Sequence, residues 1–244
     1  TRETLDEERF LYALSDPESG SLLGEFIFKL SNTDEGFADL LANEADIVMS
    51  MREVRKAEIS RAKDAGMGDL AARGRSSIVA LDGLVPVVAP SNPVQAITTP
   101  QLARVLSGEI GNWSDLGGPD APITVHVLDH ASGLGQATVD RLLQPVRASL
   151  VDTAMQHDDG PALAAAVSDD PFGLGVTSRS EPGNTWELAL KGQCGFALSA
   201  TRRAVKTEDY PLTAPLFLYM PARRFPKLVR EFLVYLRDPS AQLV

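Results

Sequence analysis

The pattern of apolar and polar positions changes period several times along the chain, and each change marks an element. Residues 9–15 and 24–30 are rich in aromatic and branched side chains, with the polar run 16–21 between them. Phe26, Phe28 and Leu30 alternate with Glu25, Ile27 and Lys29, the period of a strand with one buried face, so the pattern predicts a β-hairpin. Ser31, Asn32 and Thr33 then offer N-cap chemistry, and Phe37, Leu40 and Leu41 follow at helical spacing. Ala45 to Met49 reads as a short buried strand ending in Ser50, Met51 and Arg52. The strongly charged stretch 53–75 reads as a solvated helix followed by a loop.

From Ser77 a strand is expected, apolar on both faces over Leu84 to Val88 and broken at Asn92-Pro93. Thr99 before Pro100 reads as an N-cap with Pro at the first helical position, and Leu102, Val105 and Leu106 supply the buried stripe. Trp113 is expected to pin the turn-rich segment 111–119. Ile123 to Leu128 is the next strand, with His126, Leu128 and His130 on one face by the period of two. A helix runs from Ser132 to Leu143, where Pro145 stops it, and Pro161 starts another that carries Leu163 and Val167. Phe172 to Ser178 and Leu216 to Met220 read as strands, the latter preceded by Pro211 and Pro215. A last helix, Pro226 to Arg237, is expected to bury Leu228, Val229, Phe232, Leu233 and Leu236. Strands alternating with helices imply an α/β protein with parallel or mixed sheets.

Composition narrows the function. The 244 residues suffice for one large domain or two of about half that size. Apolar residues are 44% and charged residues 23%, ordinary globular values. No apolar run reaches the roughly 18 residues of a membrane-spanning helix, and the first residues do not resemble a signal peptide, so the chain reads as soluble. It begins at Thr1 rather than Met, as expected of a processed product or a piece of a longer chain. A net charge of −10 argues against a nucleic-acid surface or a polybasic membrane patch. It leaves room for a small anion, which helix N-termini and hydroxyls bind without excess Lys or Arg. Cys194, the one cysteine, has no intrachain disulfide partner and reads as a small buried hydrophobe.

The stretch Ile78 to Gly135 carries most of the candidate chemistry. A strand end feeding a Gly-containing turn and then a helix gathers unpaired N–H groups at one spot, where an anion can sit. Ser31 and Thr33 read either as helix caps or as ligand contacts. Arg52 reads either as a ligand contact or as half of an ion pair with Asp46, Glu53 or Glu58. Ser132 is no nucleophile elbow, because that motif needs glycines where His130 and Leu134 stand. His126 and His130 share a strand face but lie about 13 Å apart by strand rise, too far for one metal ion. His157, Asp158 and Asp159 read as an exposed loop, and His130 is open to a ligand hydrogen bond or to a capping or surface role.

Taken in order, ADIVMSMRE, LDGLVPVVAPSNPVQAITTPQLARVLSGEIGNWSDLGGPDAPI, HASGLGQAT, FGLGVTS and YPLTAPLFLYM resemble the PstS-like family of phosphate ABC-transporter substrate-binding proteins. The resemblance implies an α/β fold of the two-lobed periplasmic-binding-protein type II architecture, with mixed sheets, flanking helices and a ligand cleft between lobes. On it residues 1–87 and 209–244 form one lobe and 88–208 the other, the first incomplete at both chain ends. The segments LDGLVPVV and YPLTAPLFLY are the crossings. It implies an anion site from Ser31, Asn32 and Thr33, from Ser50, Met51 and Arg52, and from Ser132, Gly133 and Leu134, with His130 beside it. No catalytic residue, metal or cofactor is implied.

The chain departs from the family pattern at three places: Leu128 where members often carry an Arg, Leu134 where a Thr commonly follows Ser-Gly, and Met51 where some carry an Asp. Each change removes a partner from a buried anion, at a cost of about 1 to 3 kcal/mol. The expectation is therefore a periplasmic solute-binding protein that takes a small anion such as phosphate, without catalysis and without nucleic acid. The implied partners are a transporter permease or, through an OmpA-like domain of a longer chain, peptidoglycan. Two rivals stand beside it: an envelope interaction or structural module without a ligand, and a binder of a less charged solute.

Overall fold

In the computed structural model, residues 2–192, 195–236, 238 and 241 are described, so the expectation for Cys194 and the end of the last helix at Arg237 lie outside the described residues. The elements begin with strands β1 (Arg2–Thr4), β2 (Arg9–Ser15) and β3 (Leu22–Lys29), helix α1 (Thr33–Leu41), β4 (Val48–Ser50), α2 (Lys56–Asp64) and β5 (Ser76–Val88). They continue with β6 (Ala96–Thr98), α3 (Thr99–Leu106), β7 (Thr124–Leu128), α4 (Gly133–Thr138), β8 (Met155–His157), α5 (Gly160–Asp169) and β9 (Gly173–Ser178). The last are β10 (Trp186–Glu187), β11 (Ala189–Lys191), β12 (Ala197–Leu198), α6 (Arg202–Lys206), β13 (Thr213–Tyr219) and α7 (Lys227–Tyr235). The chain divides into two compact units, Thr1–Ala80 with Phe217–Val244, and Leu81–Leu216.

In the first unit β1, β2 and β3 form an antiparallel sheet, the expected hairpin with one strand added. Its register sets Phe10 opposite Phe28 and Tyr12 opposite Phe26, so the aromatic side chains share a face. Helix α7 lies on that face, with the Phe232 ring centroid 5.1 Å from that of Phe26. Gly24 lets α7 approach closely, since a Cβ there would come within 2.2 Å of Leu228 Cδ2 and that methyl would have to swing aside. The expected stripe of Leu228, Val229, Phe232, Leu233 and Leu236 is half-buried rather than buried. Leu30 is exposed, because β3 ends at Lys29 and the alternation does not extend to it.

A second cluster in this unit packs Phe37 and Leu40 of α1 against Val48, Ala62, Leu70 and Tyr219. Strand β4 pairs antiparallel with residues 217–219 of β13 and is shorter than its apolar run, so Ala45 to Ile47 lie outside it.

In the second unit β5, β9, β7 and β8 run side by side, β5 antiparallel to β9 and the rest parallel, so the sheet is mixed. Leu84 to Val88 are buried, as their two-faced apolar run requires. Strands β12, β11 and β6 make a smaller sheet. The cap of α3 is Thr98 rather than Thr99, because Gln101 stands three residues on: Thr98 Oγ1 accepts from Gln101 N–H at 3.2 Å and Gln101 Oε1 accepts from Thr98 N–H at 3.0 Å. Trp113 is fully buried, and its Nε1–H donates to the Phe172 carbonyl at 2.9 Å. Strand β13 begins at Thr213, so Pro215 lies within it; the fixed φ of proline suits extended backbone.

Of residues 157–159, Asp158 and Asp159 form the expected exposed loop and His157 does not. His157 ends β8 half-buried, and Asp159 Oδ1 caps α5 by accepting from Ala162 N–H at 2.8 Å. Among the described residues no helix is long and apolar enough to cross a membrane.

Candidate ligand-binding site

The residues singled out in the sequence form two groups, one in each unit. In the first unit the chain leaves β3, turns through Ser31 and Asn32 and enters α1. Asn32 is the cap: its Oδ1 accepts from Glu35 N–H at 2.9 Å. Ser31 Oγ donates to the Asn32 carbonyl at 3.3 Å, and Thr33 is buried. The other part lies at the end of β4, where Ser50 is 1% exposed. Its Oγ donates to the Arg52 carbonyl at 2.6 Å and accepts from Arg52 N–H at 3.2 Å, which closes a tight turn. Met51 sits half-buried within that turn.

Arg52 ties the two parts together. Its side chain is 12% exposed and forks onto Glu58, 11% exposed, with Nη2 to Oε1 at 2.7 Å and Nη1 to Oε2 at 3.0 Å. Nη2 also meets Asp34, in the first turn of α1, and Asp34 receives Arg55 Nη1 at 2.8 Å. The guanidinium lies 5.1 Å from the centroid of the Phe37 ring. Of the ion-pair partners expected for Arg52, Glu58 is the one found. Asp46 pairs with Arg223 instead, and Glu53 contributes its carbonyl at 3.0 Å rather than its carboxylate.

Burial alone lowers the affinity of Arg52 for its proton, but Glu58 and Asp34 outweigh it and leave the pKa raised. Burial likewise pushes Asp34 up, and the hydrogen bonds from Arg52 and Arg55 bring it below its usual value. Two cations face two carboxylates, so the group carries no formal net charge. One buried polar atom, Arg52 Nε, has no partner among the described residues.

In the second unit the site is a turn between β7 and α4. Asp129 N–H donates to the His157 carbonyl at 2.9 Å, and the Asp129 carbonyl accepts from Ser132 N–H at 2.9 Å and Ser132 Oγ at 2.7 Å. Ser132 caps α4, its Oγ accepting from Gly135 N–H at 3.0 Å. The N–H groups of Gly133 and Leu134, in the first turn, have no intrahelical acceptor. His130 is exposed at the rim of the turn, and Leu128 is buried beneath it.

Two features escaped the sequence reading. Gly135 is pressed onto the turn, where a Cβ would stand 2.1 Å from the Asp129 carbonyl oxygen. The second glycine of Ser-Gly-Leu-Gly was the signal available for it. Asp34 was legible as an acidic residue at a helix start, but its contact with Arg52 joins positions 18 residues apart, which no local pattern shows.

The order in which these segments occur also matches known proteins. A family model described as a PBP superfamily domain matches residues 28–239. A phosphate-binding protein PstS of Borreliella burgdorferi is 22% identical over 97% of this chain and 88% of its own length. Protein SphX of Synechococcus elongatus is 28% identical over 88% of this chain, and the chain spans 65% of that relative. A crystal structure of an ABC-type phosphate transport receptor from Vibrio cholerae superposes with a TM-score of 0.70 at 22% identity, covering 86% of this chain and 81% of that one, so the fold is shared. With its family match running from β3 to beyond α7, the chain belongs to the PBP superfamily.

Proposed function

We propose that this protein is an extracytoplasmic solute-binding protein that holds inorganic phosphate for a transporter of the ABC class, and that it binds without catalysing a reaction. Its contacts in this reading are Ser31, Asn32, Thr33, Ser50, Met51 and Arg52 of the first unit, and His130, Ser132, Gly133 and Leu134 of the second. The observation that carries the reading is the turn at Ser132. There a hydroxyl caps α4 and a glycine is pressed against Asp129, and in this reading the first N–H groups of α4 receive the anion. The PstS and SphX relatives and the phosphate receptor support it through their extent of match. The periplasm as the compartment, and residues 1–87 with 209–244 and 88–208 as the two lobes, belong to the same proposal.

Calorimetric titration with phosphate tests it: a saturable heat with a rise in thermal midpoint is expected, and neither appearing at millimolar phosphate overturns it. A second reading, a less charged solute, is favoured by one observation: Glu58 and Asp34 already match the charge of Arg52. On that reading an uncharged solute gives the heat and phosphate does not.

A further inference from the structure

Beneath the Ser132 turn lies a chain of titratable side chains that the ligand reading does not use. His126, in β7, is 2% exposed, and its Nδ1 lies 3.0 Å from Nε2 of His157 at the end of β8. The rings stack with centroids 5.2 Å and planes 17° apart. On its other side His126 Nε2 lies 3.4 Å from Asp170 Oδ2. This carboxylate assigns the His126 proton to Nε2, so Nδ1 accepts from the Nε2–H of His157.

Little else that titrates faces the pair. Strand β9 and helix α4 carry no titratable side chain, and β8 carries only His157. Helix α5 carries only Asp169, which is exposed, and Asp159 is committed to its cap. Asp158 follows β8 and favours the charged form of His157, but burial and the neighbouring His126 outweigh it and hold His157 below the ordinary imidazole value of 6.5.

The pair is joined directly to the ligand turn. The carbonyl of His157 accepts from Asp129 N–H, and the Asp129 carbonyl fixes both the N–H and the Oγ of Ser132. We infer that His126 and His157 are positioning residues for the turn Asp129–Leu134, and that a second proton on the pair releases that turn and weakens anion binding. The statement about the anion rests on the phosphate reading above; the statement about the turn does not.

The proton balance is simple. A first proton from solvent goes to Nδ1 of His157 and leaves the ring-to-ring hydrogen bond intact. A second must occupy Nδ1 of His126, where two N–H groups would face each other across 3.0 Å, so the rings separate. Separation moves the end of β8, and with it the carbonyl that holds Asp129.

The test uses the full chain and a His157→Gln variant, whose amide keeps a donor but does not titrate. Amide hydrogen exchange followed by NMR from pH 8 to pH 4, wide enough to include a second step displaced downward by the first, reads the turn without ligand. Protection of Asp129 and Ser132 is expected to fall severalfold in the wild type and to stay level in the variant. The ratio of wild-type to variant phosphate affinity is expected to fall by a similar factor, and phosphate's own protonation cancels in that ratio.

Level protection in the wild type, or an equal fall in both chains, overturns the inference. If neither chain binds phosphate, the ligand reading fails alone and the exchange result still decides the role of the pair. If the variant does not fold, the wild-type ring nitrogens are titrated by NMR. Loss of Asp129 protection at the second of two ring steps supports the inference, and loss unconnected to either step overturns it.

Discussion

The two groups of candidate ligand residues arrange their charge in opposite ways. The first unit is rich in charge, but its charge is already spent internally: Arg52 forks onto Glu58 and meets Asp34, and Arg55 meets Asp34 as well. The turn at Ser132 has no cation within it, only a hydroxyl cap and the first N–H groups of α4. A guanidinium matched by two carboxylates offers an incoming anion little net attraction, whereas a helix start offers about half a positive charge with no counter-ion to displace. The comparison teaches that the residue that looks most like an anion ligand in sequence, Arg52, is the one most committed to holding its own unit together.

The largest effect expected from this contrast is on stability. Removing the carboxylate in Glu58→Ala leaves Arg52 buried without its fork and also deprives Arg55 N–H of the acceptor it finds at 2.7 Å. Breaking a buried pair from one side costs about 3 kcal/mol or more, whereas replacing both partners with apolar residues is often close to neutral. Urea unfolding of Glu58→Ala and of a Glu58→Leu, Arg52→Met double variant measures both. A loss below about 1 kcal/mol in the single variant would place the pair among solvent-screened surface pairs and remove the contrast.

Next in size is the turn of the second unit. A methyl group in Gly135→Ala would stand 2.1 Å from the Asp129 carbonyl oxygen and 2.7 Å from that of Leu128, so the backbone must move. About 2 to 3 kcal/mol of destabilisation is expected, with loss of measurable phosphate heat at a temperature where the variant is still folded. Full affinity in a folded Gly135→Ala would show that the anion does not depend on this helix start.

How much of this was legible in the sequence follows from the range of the interactions. The hairpin, the polar cap turn 31–33, the helix start at Ser132 and the buried run Leu84 to Val88 depend on neighbours within a few residues, and period and cap chemistry report those directly, although the cap expected at Ser31 or Thr33 falls on Asn32. Capping itself was read one residue late at Thr98, because the decisive partner was Gln101 rather than the adjacent Pro100. The pairing of His126 with His157 was invisible for a different reason. Measured along one strand, His126 and His130 looked like the pair to weigh, but the parallel register of β7 and β8 brings a histidine 31 residues away to 3.0 Å. Strand order is set by the whole sheet, so cross-strand contacts are the least local information in the fold. The same holds for Arg52: the acidic residues near it in sequence included the correct Glu58 but gave no reason to prefer it over Asp46.

A smaller effect separates the two ways in which Arg52 serves. If Asp34 competes with the anion for the guanidinium, Asp34→Asn keeps the shape of the contact and removes the competing charge. Phosphate affinity is then expected to rise, by up to about tenfold, which corresponds to 1.4 kcal/mol. Unchanged affinity by calorimetry would mean that Arg52 is a structural ion-pair residue only, and the charge-poor turn of the second unit would carry the anion without it.

The smallest expected effect is the acid limb of stability, and its sign can be worked out. Burial raises Asp34, but the hydrogen bonds from Arg52 and Arg55 win and hold its carboxyl below the ordinary value of 3.8. A group whose pKa is lower folded than unfolded binds its proton more readily in the unfolded chain. Its contribution is therefore complete above the unfolded value and is lost as the pH falls through the folded one. Asp170 behaves alike, since the backbone N–H of Phe172, the hydroxyl of Thr124 and the ring of His126 outweigh its burial. The Asp34 side chain is 48% exposed, so solvent screens its pairs and less than about 1 kcal/mol is at stake. Thermal midpoints from pH 6 down to pH 3 should fall less steeply in Asp34→Asn than in the wild type, and high salt should shrink the difference. An unchanged slope would show that the Arg52 and Glu58 fork alone sets the electrostatics of the first unit. It would also leave the approach of Asp34 without energetic weight.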